Sequence, residues 1–140
     1  MSASVSCVFC KIVRGEIPAV KVGEDARTLT FMDIQPASAG HTLTVPKAHA
    51  PNLLEIAEAD LFAVASAAQR VARAVKKVLE PDGIRIVQTN GAAAGQSVFH
   101  YHVHVIPMRE GERIGTHGRE SAKAEELQAL AARLREALIE

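Results

Sequence analysis

Residues 100–106 read His-Tyr-His-Val-His-Val-Ile, three imidazoles alternating with apolar side chains. A period of two belongs to an extended strand, where residues i, i+2 and i+4 share one face. His100, His102 and His104 then line one surface, and Tyr101, Val103 and Val105 face the other side, which must be buried. On a helix the same spacing scatters the rings and leaves no apolar face. Imidazole is the side chain best suited to nucleophilic, acid–base or metal chemistry near neutral pH. The approach to this row is Asn90-Gly91-Ala92-Ala93-Ala94-Gly95-Gln96-Ser97-Val98-Phe99. Gly and Ala admit a ligand close to the backbone, and backbone amides in such a loop cradle phosphate oxygens. Alone the loop reads equally as a flexible connection. Beside an imidazole row it reads as the wall of a phosphate site.

A neutral imidazole has one N–H and one lone pair. If a backbone carbonyl accepts from one nitrogen, the other is fixed as a nucleophile that can attack phosphorus, and water then cleaves the phosphoimidazole. His102, with a ring on each side, is the natural nucleophile. Its neighbours, when protonated, would stabilise oxygen charge or protonate a leaving group. A metal is the rival reading. Residues i and i+2 on a strand are about 6.5–7 Å apart, and His100 and His104 about 13 Å, so three-ring chelation at one ion needs a strong bend. Cys7-Val8-Phe9-Cys10 supplies half of a possible zinc site, and with no third cysteine the remaining ligands would be histidines. A redox pair or two buried thiols are the alternatives. His49, after Pro46-Lys47-Ala48, is a candidate ligand, and His41 a candidate site residue. His117, between Gly115 and Gly118, reads as a solvated residue.

These side chains need a frame. Residues 19–23 and 27–33 are expected as two strands around a turn at Glu24-Asp25-Ala26, and residues 41–46 as a third after Gly40. Residues 59–79 predict a helix, with Leu61, Val64, Ala65, Ala68, Val71, Ala72, Val75, Val78 and Leu79 recurring every three or four positions. Pro81-Asp82-Gly83 stops it. Residues 84–89 predict a fourth strand, and the histidine row a fifth, ended by Pro107. A last helix is expected over about 122–139, with Ser121 as N-cap and Leu127, Leu130, Leu134 and Leu138 on one face. Strands clustered around one long helix imply an α+β fold with a mostly antiparallel five-stranded sheet. The alanines of the long helix would admit a dimer partner, although packing on its own sheet explains them as well.

The chain has 140 residues, 48% of them hydrophobic, which suits a single domain with a real core. Its formal net charge is 0, with no run of Lys or Arg. That argues against an extended nucleic-acid or anionic-membrane surface, while leaving room for a small anionic substrate. No 18-residue apolar run or signal peptide is seen, so a cytoplasmic location is expected.

The run Gly95-Gln96-Ser97-Val98-Phe99-His100-Tyr101-His102-Val103-His104-Val105-Ile106 resembles the signature of the histidine-triad (HIT) family. Phe9-Cys10-Lys11-Ile12-Val13, Gly15-Glu16-Ile17-Pro18, Phe31-Met32-Asp33-Ile34, Gly40-His41-Thr42-Leu43 and Val45-Pro46-Lys47 with His49 fall in that family's order. The pattern is most similar to the Hint-like nucleotide phosphoramidase branch in its bacterial zinc-carrying form. The resemblance implies one domain over 1–140, with a motif-bearing core at about 7–107 and the C-terminal helix at about 122–139. It implies a homodimer whose sheets join, with the long helix at the interface. It implies purine nucleotide substrates attacked at the α-phosphate through a nucleotidyl-His102 intermediate. His104 and His41 match the supporting histidines. Gly95, Gln96 and Ser97 match the phosphate and leaving-group loop, and Ser97 would donate to an amine leaving group. Asp33 and Ile34 match the ribose pair, and Phe9, Ile12 and Phe31 the base walls. Cys7, Cys10, His49 and His100 match the ligands of a structural zinc, and no catalytic metal or organic cofactor is implied. One departure stands out: where the family carries Asn or Gln against the phosphate, this chain has Thr89, with Asn90 one place later. The segment from Arg109 onward matches least. A dinucleoside polyphosphate hydrolase, a non-catalytic nucleotide-binding scaffold and a catalytic-zinc enzyme are the alternatives.

Overall fold

A computed structural model describes residues 6–118 and 120–139. The first element is a short helix, α1 (Val8–Val13). Strands β1 (Lys21–Glu24), β2 (Thr28–Met32) and β3 (Thr42–Pro46) follow. Then come the long helix α2 (Glu58–Leu79), β4 (Gly83–Val87), a 3₁₀ turn (Ala92–Ala94), β5 (Val103–Met108) and α3 (Ala124–Ile139). The strands form one antiparallel five-stranded sheet in the order β1-β2-β3-β5-β4. The expected α+β class is therefore the observed one.

Period-two alternation gives the sheet two apolar faces. Val22, Met32, Tyr101, Val103 and Val105 lie under α2 and α3, against Val64, Val71, Val75, Leu127 and Leu134. On the other face Phe9 and Ile12 of α1 cover Leu29, Phe31, Leu43 and Val45. Leu43 pairs with His104 in the ladder, so the histidines share that second face.

Several boundaries differ from expectation. β1 occupies Lys21–Glu24, starting two residues later than expected. No helix is expected where α1 lies, a six-residue element capped by Cys7. β5 begins at Val103, after His100 and His102, because Tyr101 N–H donates to Ala50 O (2.7 Å) rather than to a strand partner. The alternation nonetheless holds through this extended lead-in. Pro107 does not end β5, which runs to Met108. The β3 ladder stops at the Thr42–Val105 pair, so Pro107 lies where β5 has one neighbour and a missing N–H costs little. The last helix starts at Ala124, and Ser121 is not its cap: Leu127 N–H bonds to Lys123 O. On α2 the buried stripe uses Ala67 and Ala74, while Ala65 faces outward.

Candidate active site and metal centre

Each ring of the histidine row is held by a partner that fixes its proton. His100 Nε2 lies 2.8 Å from Pro46 O. A carbonyl only accepts, so Nε2 carries the proton and the Nδ1 lone pair is available. His102 Nδ1 lies 2.7 Å from His100 O, which puts its proton on Nδ1 and a lone pair on Nε2. Ala37 N–H donates to His41 Nδ1 (3.0 Å), so His41 is protonated on Nε2. That nitrogen donates to His104 Nδ1 at 2.9 Å, leaving His104 with Nε2–H as its own donor. The chain Ala37→His41→His104 thus sets two tautomers from one backbone amide.

Burial reinforces these states. It pushes His41 down to about 4 and His104 to about 3, and it lowers His102 as well. Desolvation penalises the imidazolium, so the rings are neutral near pH 7. Asp33, also buried, is raised by the same cause against a 2.8 Å bond from Gln35 N–H to its Oδ1. Phe9 stands edge-on to the His102 ring, with centroids 5.1 Å apart, and to Phe31 at 5.5 Å. Phe9, Ile12 and Phe31 therefore meet in one apolar cluster beside His102. Asp33 lies at the end of β2 next to His41, while Ile34 is 63% exposed.

The loop residues divide. The 3₁₀ turn brings Gly95 to φ +102°, a conformation natural to glycine. Ser97 is exposed beside Cys7 and His49 in a cleft of about 380 Å³. The Gln96 side chain, by contrast, is buried and spent on the loop: its Oε1 accepts from Gly91 N–H (2.7 Å), and its Nε2 donates to Pro51 O (2.6 Å) and Val98 O (3.1 Å). It braces the loop. Asn90 is likewise engaged, accepting from Leu53 N–H (2.8 Å) and pairing with Gln88. Of the two candidates at that position, Thr89 is the one whose side chain these bonds do not involve.

Cys7, Cys10, His49 and His100 converge on one point. Their donor atoms are 3.4 Å (Cys7 Sγ–His100 Nδ1), 3.3 Å (Cys10 Sγ–His49 Nδ1), 3.5 Å (Cys10 Sγ–His100 Nδ1) and 3.3 Å (His49 Nδ1–His100 Nδ1) apart. Tetrahedral zinc with ordinary bond lengths demands N···N edges of about 3.3 Å and S···N edges of about 3.5 Å. The donor set fits that ion in type and size, and α1 positions it: Cys7 caps the helix, its Sγ accepting from Cys10 N–H (3.4 Å). Asp33, His41 and His104 also lie close together. There the facing nitrogen of His41 carries a proton, so the group is a hydrogen-bond chain and a poor metal site.

One residue departs from its sequence reading. His117 is not simply solvated: its ring packs on His104 (centroids 5.3 Å apart, planes at 77°), and its Nδ1 is 3.9 Å from Asp33 Oδ2. The flanking glycines were the only available signal.

An antiparallel α+β sheet with an alternating histidine row beside a Cys₂His₂ cluster defines a histidine-triad protein. The HIT domain model matches residues 14–111, and the chain belongs to that family. It is 44% identical over 107 residues to protein hit of Bacillus subtilis, covering 76% of this chain and 74% of that protein. It is 41% identical over 103 residues to the adenosine 5′-monophosphoramidase hnt1 of Schizosaccharomyces pombe, covering 74% of each. Among solved structures, a Hit-like protein from Bartonella henselae superposes with TM-score 0.89 at 41% identity, covering 96% of this chain and 98% of that one. A zinc-bound histidine triad protein from Mycobacterium smegmatis gives 0.84 at 38% identity, covering 96% and 94%.

Proposed function

We propose that this protein hydrolyses purine nucleoside 5′-phosphoramidates by transferring the nucleotidyl group to His102 and then to water. The observation that carries the reading is the bond from His102 Nδ1–H to the His100 carbonyl, which leaves Nε2 as a neutral nucleophile. In the first step a His102 Nε2–P bond forms and the P–N bond to the amine breaks. The amine departs with a proton from Ser97. In the second step water attacks phosphorus and gives a proton back to Ser97 Oγ, the bond to Nε2 breaks and the nucleoside monophosphate leaves. His104 Nε2–H, its direction of donation set by His41, stabilises charge on a non-bridging oxygen. Phe9, Ile12 and Phe31 hold the base, Asp33 and Ile34 the sugar. Gly95, Ser97, Thr89 and the loop that Gln96 braces surround the phosphate. The likeness to a monophosphoramidase supports the leaving-group class.

Cys7, Cys10, His49 and His100 hold a structural zinc in this reading, supported by the fit of their spacing and by the likeness to a zinc-bound relative. The chain acts as a homodimer. Its support is an apolar cleft of about 470 Å³ lined by Ala65, Ala68, Ala72, Ile86, Tyr101 and Val103, next to β4 at the sheet edge. Sedimentation at twice the chain mass is the expected reading.

The deciding experiment is single-turnover hydrolysis of adenosine 5′-monophosphoramidate by wild type and His102→Ala, with mass spectrometry of the protein. Wild type should hydrolyse rapidly and carry an adenylyl adduct, and the variant should do neither. Equal rates in the two proteins would overturn the reading. AMP binding without turnover in either would point to a different leaving group or a binding module.

A further inference from the structure

His117 is half exposed, at 49% of its side chain, yet its place is tightly set. It lies on the connection between β5 and α3, and two backbone bonds tie that connection to the residues just after Asp33. Gly118 N–H donates to Gln35 O (2.8 Å) and Ala122 N–H to Ile34 O (2.9 Å). Gly118 approaches so closely that a Cβ there would overlap the Pro36 carbonyl. Only glycine permits this seating of the neighbouring imidazole.

The seating puts His117 where it faces both Asp33 and the His104 ring. Asp33 Oδ1 is already satisfied by Gln35 N–H. Oδ2 is 3.4 Å from His41 Nε2, but that proton is directed to His104 Nδ1 at 2.9 Å. Oδ2 therefore keeps acceptor capacity. His117 Nδ1 stands 3.9 Å away, too far for a hydrogen bond and close enough for one hydroxyl to bond both atoms. A polyol oxygen donating to Oδ2 and engaging Nδ1 satisfies the carboxylate and the ring together.

We propose that His117 is a specificity-determining residue that, with Asp33, reads the sugar hydroxyls of the bound nucleotide. This rests on the nucleotide reading above. The β5–α3 connection then does more than lead into a helix: it supplies one side of the sugar site, on the part of the chain where the family pattern is weakest.

The test is calorimetric titration of the full chain with AMP and with its 2′,3′-dideoxy analogue, for wild type, His117→Ala and His117→Asn. Wild type should prefer AMP, and His117→Ala should cut that preference about tenfold, with affinity for the dideoxy form unchanged. His117→Asn, which can place an N–H near the position of Nδ1, should restore most of the preference. An unchanged ratio in His117→Ala, or equal loss of affinity for both ligands, would overturn the proposal. Equal binding of both ligands by wild type would also overturn it while leaving the nucleotide reading intact. Binding of neither by wild type would end both.

Discussion

At the scale of single residues, the site depends on where protons sit. His41 and His104 are buried neutral, with values near 4 and 3, against about 6.5 in an unfolded chain. Folded pKa values lie below unfolded ones, so the unfolded state binds more protons once pH drops below 6.5. Stability should therefore fall as pH falls through this window, and flatten below pH 3. Near pH 5 each ring approaches a difference of one proton between unfolded and folded states, so the two act in the same direction and the slope is steepest there. Asp33 shifts upward and opposes this trend just above its ordinary value. Thermal melting from pH 7 to 4 checks the sign, and His41→Gln should flatten the slope. The proton map was only partly legible in the sequence. The rings were visible as a motif, whereas the groups that fix them, Pro46 O, His100 O and Ala37 N–H, are backbone atoms that no side-chain pattern reports.

At the scale of elements, α2 ends by a left-handed residue. Glu80 has φ +49°, and its N–H bonds to Lys76 O. Arg109 then donates to the carbonyls of Leu79 and Glu80, both at 2.8 Å. A non-glycine residue in this conformation costs about 1 kcal/mol, so Glu80→Gly should raise stability by about that amount, measured by urea unfolding. The backbone acceptors of Arg109 would survive the change. Long periodic elements were the ones readable in advance: α2 occupies Glu58–Leu79 against an expected 59–79. Short ones were not. α1 has six residues, below what periodicity resolves, and it is set by Cys7 as cap and by Phe9 and Ile12 packing on Leu29 and Phe31. His117 is exposed as expected, and its packing on His104 has a similar origin. Its position follows from a close backbone approach at Gly118, a tertiary event with no local signature beyond the glycine.

At the scale of the whole molecule, the two faces of the sheet have different tasks. One carries α2 and α3 over an ordinary apolar core, and the other carries α1, the histidine row and the Cys₂His₂ cluster. The Cys₂His₂ cluster sits at one end of that second face, and His100 belongs to the cluster through its ring and holds the His102 ring through its carbonyl. If zinc is structural there, metal analysis should find about one ion per chain. Cys7→Ser should then lower the melting temperature more than it lowers turnover per folded molecule. Calorimetry, with turnover normalised to folded protein, separates the two. Full loss of turnover in a folded variant would count against a purely structural ion.

Cys7 and His100 are separated by 93 positions along the chain. A metal joining them closes about two-thirds of the 140-residue sequence into a ring, and a ring of that size removes about 4–5 kcal/mol of chain entropy from the unfolded ensemble when a covalent bridge makes it. The cluster is thus a cross-link in the polymer sense. A disulfide between Cys7 and Cys10 would span three positions and constrain almost nothing. If zinc is held there, the same sulfurs shared with two imidazoles would tie Cys7 to the segment leading into β5 by a link that resists reductants and yields to chelators.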